Sequence, residues 1–244
     1  SFVDSVADGG FMRELLELSQ LALLREGTLF VHGGVQHQGE EASVCIVGLV
    51  PGRPERVEGM QEWINELNSW YREQLADWMA NPHWEEAETT AESTCRGGHA
   101  LMDYVVAGPN PSVVLGRHID SKGMPDVPDE KLIALMSAHR VHRIVIGHTP
   151  HGVSPTVIKP ADGVGGSLEI IMCDTSYSDI KMPDNRGRAV SVLTLHQGGE
   201  AEVRGILADG TPIGFDVGDE LIGRMEPAGT LAPPRFVKTV VPPR

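Results

Sequence analysis

The sequence predicts an α/β domain in which β-strands form the centre and helices flank them. Three observations predict it. Short apolar runs, rich in β-branched residues, stop abruptly at polar residues: Leu29-Phe30-Val31 before His32, Ile144-Val145-Ile146 before Gly147-His148, and residues 168–173 before Asp174. Segments of helical period lie between them, over residues 11–25, 60–79 and 130–139. No internal repeat of the solenoid or propeller kind is present.

The 244 residues suffice for one large domain or two small ones. A composition of 41% hydrophobic and 22% charged residues is that of an ordinary globular chain. The formal net charge of -14 argues against a basic nucleic-acid-binding face. It suits a site that holds divalent cations, and it repels a phosphate substrate unless metal ions reverse the field locally. No apolar run of about 18 residues exists, so no membrane span is expected. Cys45, Cys95 and Cys173 are widely spaced, form no CxxC pair, and are odd in number. That pattern favours a reducing compartment such as the cytoplasm. The chain starts at Ser1 with no methionine and no signal-like apolar segment, so it reads as a fragment or a processed form.

In chain order, residues 11–25 read as an amphipathic helix, with Leu15, Leu18 and Leu21 on one face and Gly27 after its end. A strand over residues 28–31 then delivers His32, and Gly33-Gly34 permit close backbone approach to a ligand. Residues 45–50 are a short apolar patch. Residues 60–79 form a strong helix whose Trp63, Trp70 and Trp78 are read as core. Residues 80–99 are an acidic surface loop. Residues 112–116 are a short apolar run, read as a strand that ends at Arg117-His118. Arg117 is there either a phosphate fork or a surface ion-pair residue. Asp129 is placed to cap a helix over residues 130–139.

The strand 144–146 ends at Gly147-His148-Thr149-Pro150-His151-Gly152, and Pro150 forbids continuing the ladder. Ligands in open α/β sheets sit beyond the carboxyl ends of strands. His148 and His151 are therefore candidate metal or phosphate groups. The strand 28–31 repeats the pattern, so His32 and His148 are candidates for one cleft; each alone reads equally well as a solvated turn residue. A Pro/Gly-rich loop follows Gly152. Residues 168–173 form a strand that ends at Asp174-Thr175-Ser176-Tyr177-Ser178-Asp179. A half-exposed strand over 189–195 precedes a hairpin over 202–217 that turns at Asp209-Gly210. Residues 1–226 are read as one domain, and residues 227–244 as an extended Pro-rich tail.

Three of these stretches carry a resemblance: Leu29-Phe30-Val31-His32-Gly33-Gly34, Ile144-Val145-Ile146-Gly147-His148-Thr149-Pro150 and Asp174-Thr175-Ser176-Tyr177-Ser178. Over roughly residues 10–215 the chain resembles the calcineurin-like metallophosphoesterase superfamily, in particular its Shewanella-like phosphoprotein phosphatase branch. The resemblance implies a sandwich of two mixed β-sheets flanked by helices. It implies a site with two divalent metal ions (manganese, iron or zinc), and hydrolysis of phosphate monoesters on a phosphorylated protein or a small phosphoester. His32 and His148 match two metal ligands of the family, Arg117 matches an arginine that grips the substrate phosphate, and His151 is placed for phosphate or water contact. Two metals acidify a bridging water and stabilise in-line displacement at phosphorus.

The family's Asp-x-His, Gly-Asp with Asp-Arg-Gly, and Gly-Asn-His motifs do not occur; the only Gly-Asp is Gly218-Asp219. The chain is therefore expected to be the C-terminal portion of such a domain, with the first ligand motifs missing, and to be inactive alone. The alternative is a noncatalytic binding or scaffold domain that uses the tryptophan helix or the Pro-rich tail.

Overall fold

The computed structural model describes residues 1–36, 45–83, 96–106, 112–120, 123–160, 168–175, 189–226 and 235–237. Residues 85–92 of the acidic loop, residues 176–188 and most of the Pro-rich tail lie outside them. The fold is mixed α/β: a five-stranded mixed sheet and a three-stranded antiparallel sheet, with helices.

The first sheet is built around three parallel strands, β2 (Thr28–Val31), β5 (Arg143–Ile146) and β7 (Glu169–Met172). Their runs of β-branched and large apolar residues are those expected of a doubly covered parallel sheet. The edges are antiparallel: β1 (Ala22–Arg25) beside β2, and β6 (Thr156–Ile158) beside β7. One face carries Leu29, Val31, Ile144, Ile146, Ile170 and Met172 into a core with helices α3 (Met60–Ala80) and α5 (Glu130–Ala138). Trp63 and Trp70 of α3 are buried in that core, and the Trp63 indole donates to Leu49 O at 2.9 Å. Trp78, near the end of α3, is half-buried and lies outside the core that Trp63 and Trp70 join. Asp129 caps α5, accepting from Leu132 N at 2.7 Å.

The other face meets the second sheet, made of β8 (Ala189–Leu195), β9 (Ala201–Leu207) and β10 (Pro212–Asp216) in the order β10-β9-β8. Val157 and Ile171 pack there with Ala201, Val203, Val217 and Ile222. Arg143, buried at the start of β5, pairs with Glu169 and donates to Gly199 O at 2.7 Å, which ties the two sheets at that end.

Four sequence expectations are corrected. The helix over 11–25 stops at Leu18 (α2, Phe11–Leu18), and residues 22–25 are β1. Glu26 and Gly27 both take positive φ (49° and 73°), the two-residue turn that pairs Arg25 with Thr28. Gly27 is therefore a hairpin residue and caps no helix. Residues 112–116 are not a strand: one bridge residue is followed by a turn, because their backbone groups are held by the Gly33-Gly34 segment described below. The loop after Gly152 contains β6, whose Thr-Val-Ile is β-branched throughout. Part of the tail joins the fold: β12 (Arg235–Phe236) pairs with β11 (Met225–Glu226), and Val237 accepts from Gly223 N.

Asn68 of α3 blocks the outer edge of β1. Its Oδ1 accepts from Leu21 N at 2.9 Å and Ala22 N at 3.3 Å, and its Nδ2 donates to Ala22 O at 2.8 Å. Asn68→Leu strands buried backbone groups, and the expected loss is roughly 2–4 kcal/mol of unfolding free energy in urea titration; a loss under about 1 kcal/mol contradicts this role.

Candidate functional site

The parallel register places the ends of three strands side by side. Phe30 pairs with Val145, and Ile146 with Met172. The ladder continues past the strands, with Gly147 N donating to His32 O (2.9 Å) and Cys173 N to Ile146 O (2.8 Å). His32, His148 and Asp174 therefore leave neighbouring strands at their carboxyl ends, the binding edge of an open α/β sheet. The His32 and His148 rings lie 5.2 Å apart between centroids, tilted by 57°. The two imidazoles predicted to come together are neighbours.

His148 sits on a strained backbone. Its φ is +55°, and Thr149 N donates to Gly147 O at 2.6 Å, closing a three-residue turn around it. A non-glycine residue in the left-handed region costs on the order of 1–3 kcal/mol and persists where its surroundings enforce it. Here the turn swings the imidazole off the strand axis toward His32.

Arg117 reaches the same edge by a different route. Gly33 N donates to Val113 O at 2.5 Å and Gly34 N to Gly116 O at 2.6 Å, so the segment after His32 lies against residues 113–117. A Cβ on Gly33, Gly34 or Gly116 would collide with the facing backbone, which is why glycine occupies all three positions. Arg117 is left exposed and acts electrostatically on His148, while its neighbour His118 turns inward. His118 is buried, accepts from Val35 N at 3.3 Å through Nε2, and is pushed down by burial to about 4, so it stays neutral. Nothing in the sequence distinguished these two adjacent residues.

Burial, then the Arg117 guanidinium and the adjacent His32, hold the His148 imidazole below its ordinary value; the Asp174 carboxylate acts in the opposite sense. A depressed value keeps His148 neutral at neutral pH, the form that binds metal. Asp174, which had no assigned role in the sequence, leaves the end of β7 level with this pair and acts electrostatically on His148. His151 is held within its own turn: its Nδ1 lies 2.9 Å from Thr156 Oγ1, which in turn donates to the His151 carbonyl at 3.2 Å. Cys173 is nearby, but burial pushes its thiol up to about 12, so it supplies no thiolate at neutral pH.

Two imidazoles side by side fit two ligands of one borderline cation. They do not fit a complete centre, since even a single catalytic zinc takes three protein ligands. Among the described residues no group of three or more His, Cys, Asp or Glu side chains is gathered closely enough to hold an ion. No helix among them is long and apolar enough to cross a membrane. Compared with known proteins, the chain matches no family model, no curated protein and no solved structure.

The backbone at residue 148 gives a direct test of the strained turn. At ordinary positions alanine is at least as stable as glycine; at φ +55° the order reverses. His148→Gly is expected to unfold at higher urea than His148→Ala, by about 1 kcal/mol. Equal stability, or a more stable alanine variant, contradicts the assignment.

Proposed function

We propose that the chain is the C-terminal portion of a metal-dependent phosphoesterase domain of the calcineurin-like kind, a sandwich of two mixed sheets, and that it hydrolyses phosphate monoesters, with phosphoserine or phosphothreonine in proteins as the substrate class. The observation that carries the reading is the His32–His148 pair, with ring centroids 5.2 Å apart at the ends of adjacent parallel strands; the exposed Arg117 guanidinium acts electrostatically on it. Two strand-end imidazoles and one exposed guanidinium combine metal ligands with a phosphate-binding fork. The motifs quoted above support the same reading independently of the geometry. The remaining ligands are proposed to come from sequence outside these 244 residues.

His32 and His148 hold an ion as neutral ligands, and their placement on two hydrogen-bonded strands fixes the spacing between them. A divalent ion pair, when bound, supplies an acidified water and neutralises phosphate charge. Arg117 binds the phosphate oxygens bidentately and orients the phosphorus toward the histidine pair. Asp174, behind His148, steadies the imidazole electrostatically. His151 acts from the neighbouring turn, where Thr156 fixes its ring. The acidic chain leaves Arg117 and the ions as the local positive potential that draws in a phosphate.

The test uses the complete reading frame that encodes this chain, loaded with manganese and assayed on p-nitrophenyl phosphate and a phosphothreonine peptide. Manganese-dependent hydrolysis is expected, with kcat lowered at least about 10²-fold in Arg117→Ala and abolished in His148→Ala through lost metal. These 244 residues alone are expected to be inactive. Absence of hydrolysis in the metal-loaded complete protein, or full activity in His148→Ala, overturns the reading.

A further inference from the structure

Three successive amides after His32 are all spent on one other segment of the chain. Gly33 N and Gly34 N donate to the carbonyls of Val113 and Gly116, and Val35 N donates to His118 Nε2 at 3.3 Å. The third bond differs in kind, because its acceptor is a side chain. His118 is 3% exposed and Val35 is fully buried, so the bond is closed to bulk water. An imidazole that accepts through Nε2 and carries its proton on Nδ1 is uncharged. Burial keeps it so, pushing His118 down to about 4.

The ring is held from more than one side. A Cβ on Gly34 would lie 2.9 Å from Arg117 N and 3.0 Å from His118 Cδ2, so the Arg117 peptide and the imidazole both rest on this glycine. On the far side, His118 O accepts from Asp126 N at 2.9 Å. Residues 117 and 118 are adjacent. A ring fixed on the inside leaves the neighbouring guanidinium the outside, where Arg117 is exposed. His32 is fastened separately, because its carbonyl accepts from Gly147 N within the sheet.

We propose that His118 is a positioning residue for phosphate binding: it latches the Arg117 segment onto Gly34 and Val35 and so sets the direction of the Arg117 guanidinium. The proposal rests on the phosphoesterase reading above for the role of Arg117. It goes beyond that reading in giving a function to a buried residue that meets no substrate. The residue type follows from the chemistry. An apolar ring of similar size fills the space but leaves the Val35 N–H buried without an acceptor. Glutamine offers an uncharged acceptor of similar reach and keeps the bond.

The test is made in the manganese-loaded complete reading frame, with inorganic phosphate as the probe. His118→Phe is expected to weaken phosphate binding at least about tenfold by calorimetry and to raise KM for p-nitrophenyl phosphate in parallel. Manganese affinity, read by the free-ion EPR signal, is expected to stay within about twofold, since the histidine pair is held by the sheet. His118→Gln is expected to recover most of the loss. Because His118 acts through Arg117, His118→Phe combined with Arg117→Ala is expected to bind phosphate no more weakly than Arg117→Ala alone. His118→Asn, whose shorter amide stops short of Val35, carries the same expectation as His118→Phe and replaces it if that variant does not fold. Phosphate binding equal to the parent's in a folded His118→Phe or His118→Asn protein overturns the proposal. So do equal losses of phosphate and manganese affinity, a glutamine variant no better than phenylalanine, or losses that add in the double variant. Failure of both acceptor-removing variants to fold, or a parent that binds no phosphate, overturns it too. Phosphate binding that depends on His118 without hydrolysis leaves this proposal standing and removes the phosphoesterase reading; hydrolysis with phosphate binding indifferent to His118 does the reverse.

Discussion

The parallel register of β2, β5 and β7 is the constraint on which the rest depends. A parallel ladder has no freedom to move one strand end relative to its neighbour without losing every bond along it and turning side chains to the wrong face. Because Ile146 is level with Met172, and Gly147 N still bonds to His32 O, the three strands end together. The buried rows Leu29–Ile144–Ile170 and Ile146–Met172 fix that register by packing on α3 and α5. The hydrophobic core therefore determines how far apart two histidines stand, although neither histidine belongs to it.

Two local devices refine the placement. The left-handed turn at His148 redirects a side chain that would otherwise continue along the strand. The glycine contact between residues 33–34 and 113–116 lets two backbones approach within hydrogen-bond distance, and the Arg117 backbone is set against Gly34, two residues after His32, as a result. Both devices are costly in isolation: one is strained, and the other places three glycines where the unfolded chain is most flexible. Such departures from local preference concentrate at functional sites.

The legible parts of the sequence were those where local pattern and tertiary environment agree. Ile144-Val145-Ile146 is β-branched and buried, so it reads as a strand, and the glycine after it marks the turn. Asp129 and α5 were legible for the same reason. Residues 21–24 were not, because Leu-Ala-Leu-Leu continues a helical stripe as easily as it forms an edge strand; the Glu26-Gly27 hairpin and Asn68 decide between the two. Thr156-Val157-Ile158 was hidden among prolines and glycines. The opposite fates of Arg117 and His118 depend on a backbone contact with residues far earlier in the chain, which no local window contains. The pairing of His32 with His148 was inferred from a repeated pattern, and its distance is a consequence of sheet register and of the left-handed turn at His148.

The proposal that His32 and His148 bind the same ion is open to a direct spectroscopic test. Pulsed EPR on the manganese-loaded complete protein counts the histidine nitrogens coupled to that ion. Two imidazole couplings are expected in the parent protein, and a single remaining one in each of His32→Ala and His148→Ala at a manganese concentration that keeps the site loaded. A spectrum with no imidazole coupling, or one that neither substitution changes, contradicts it.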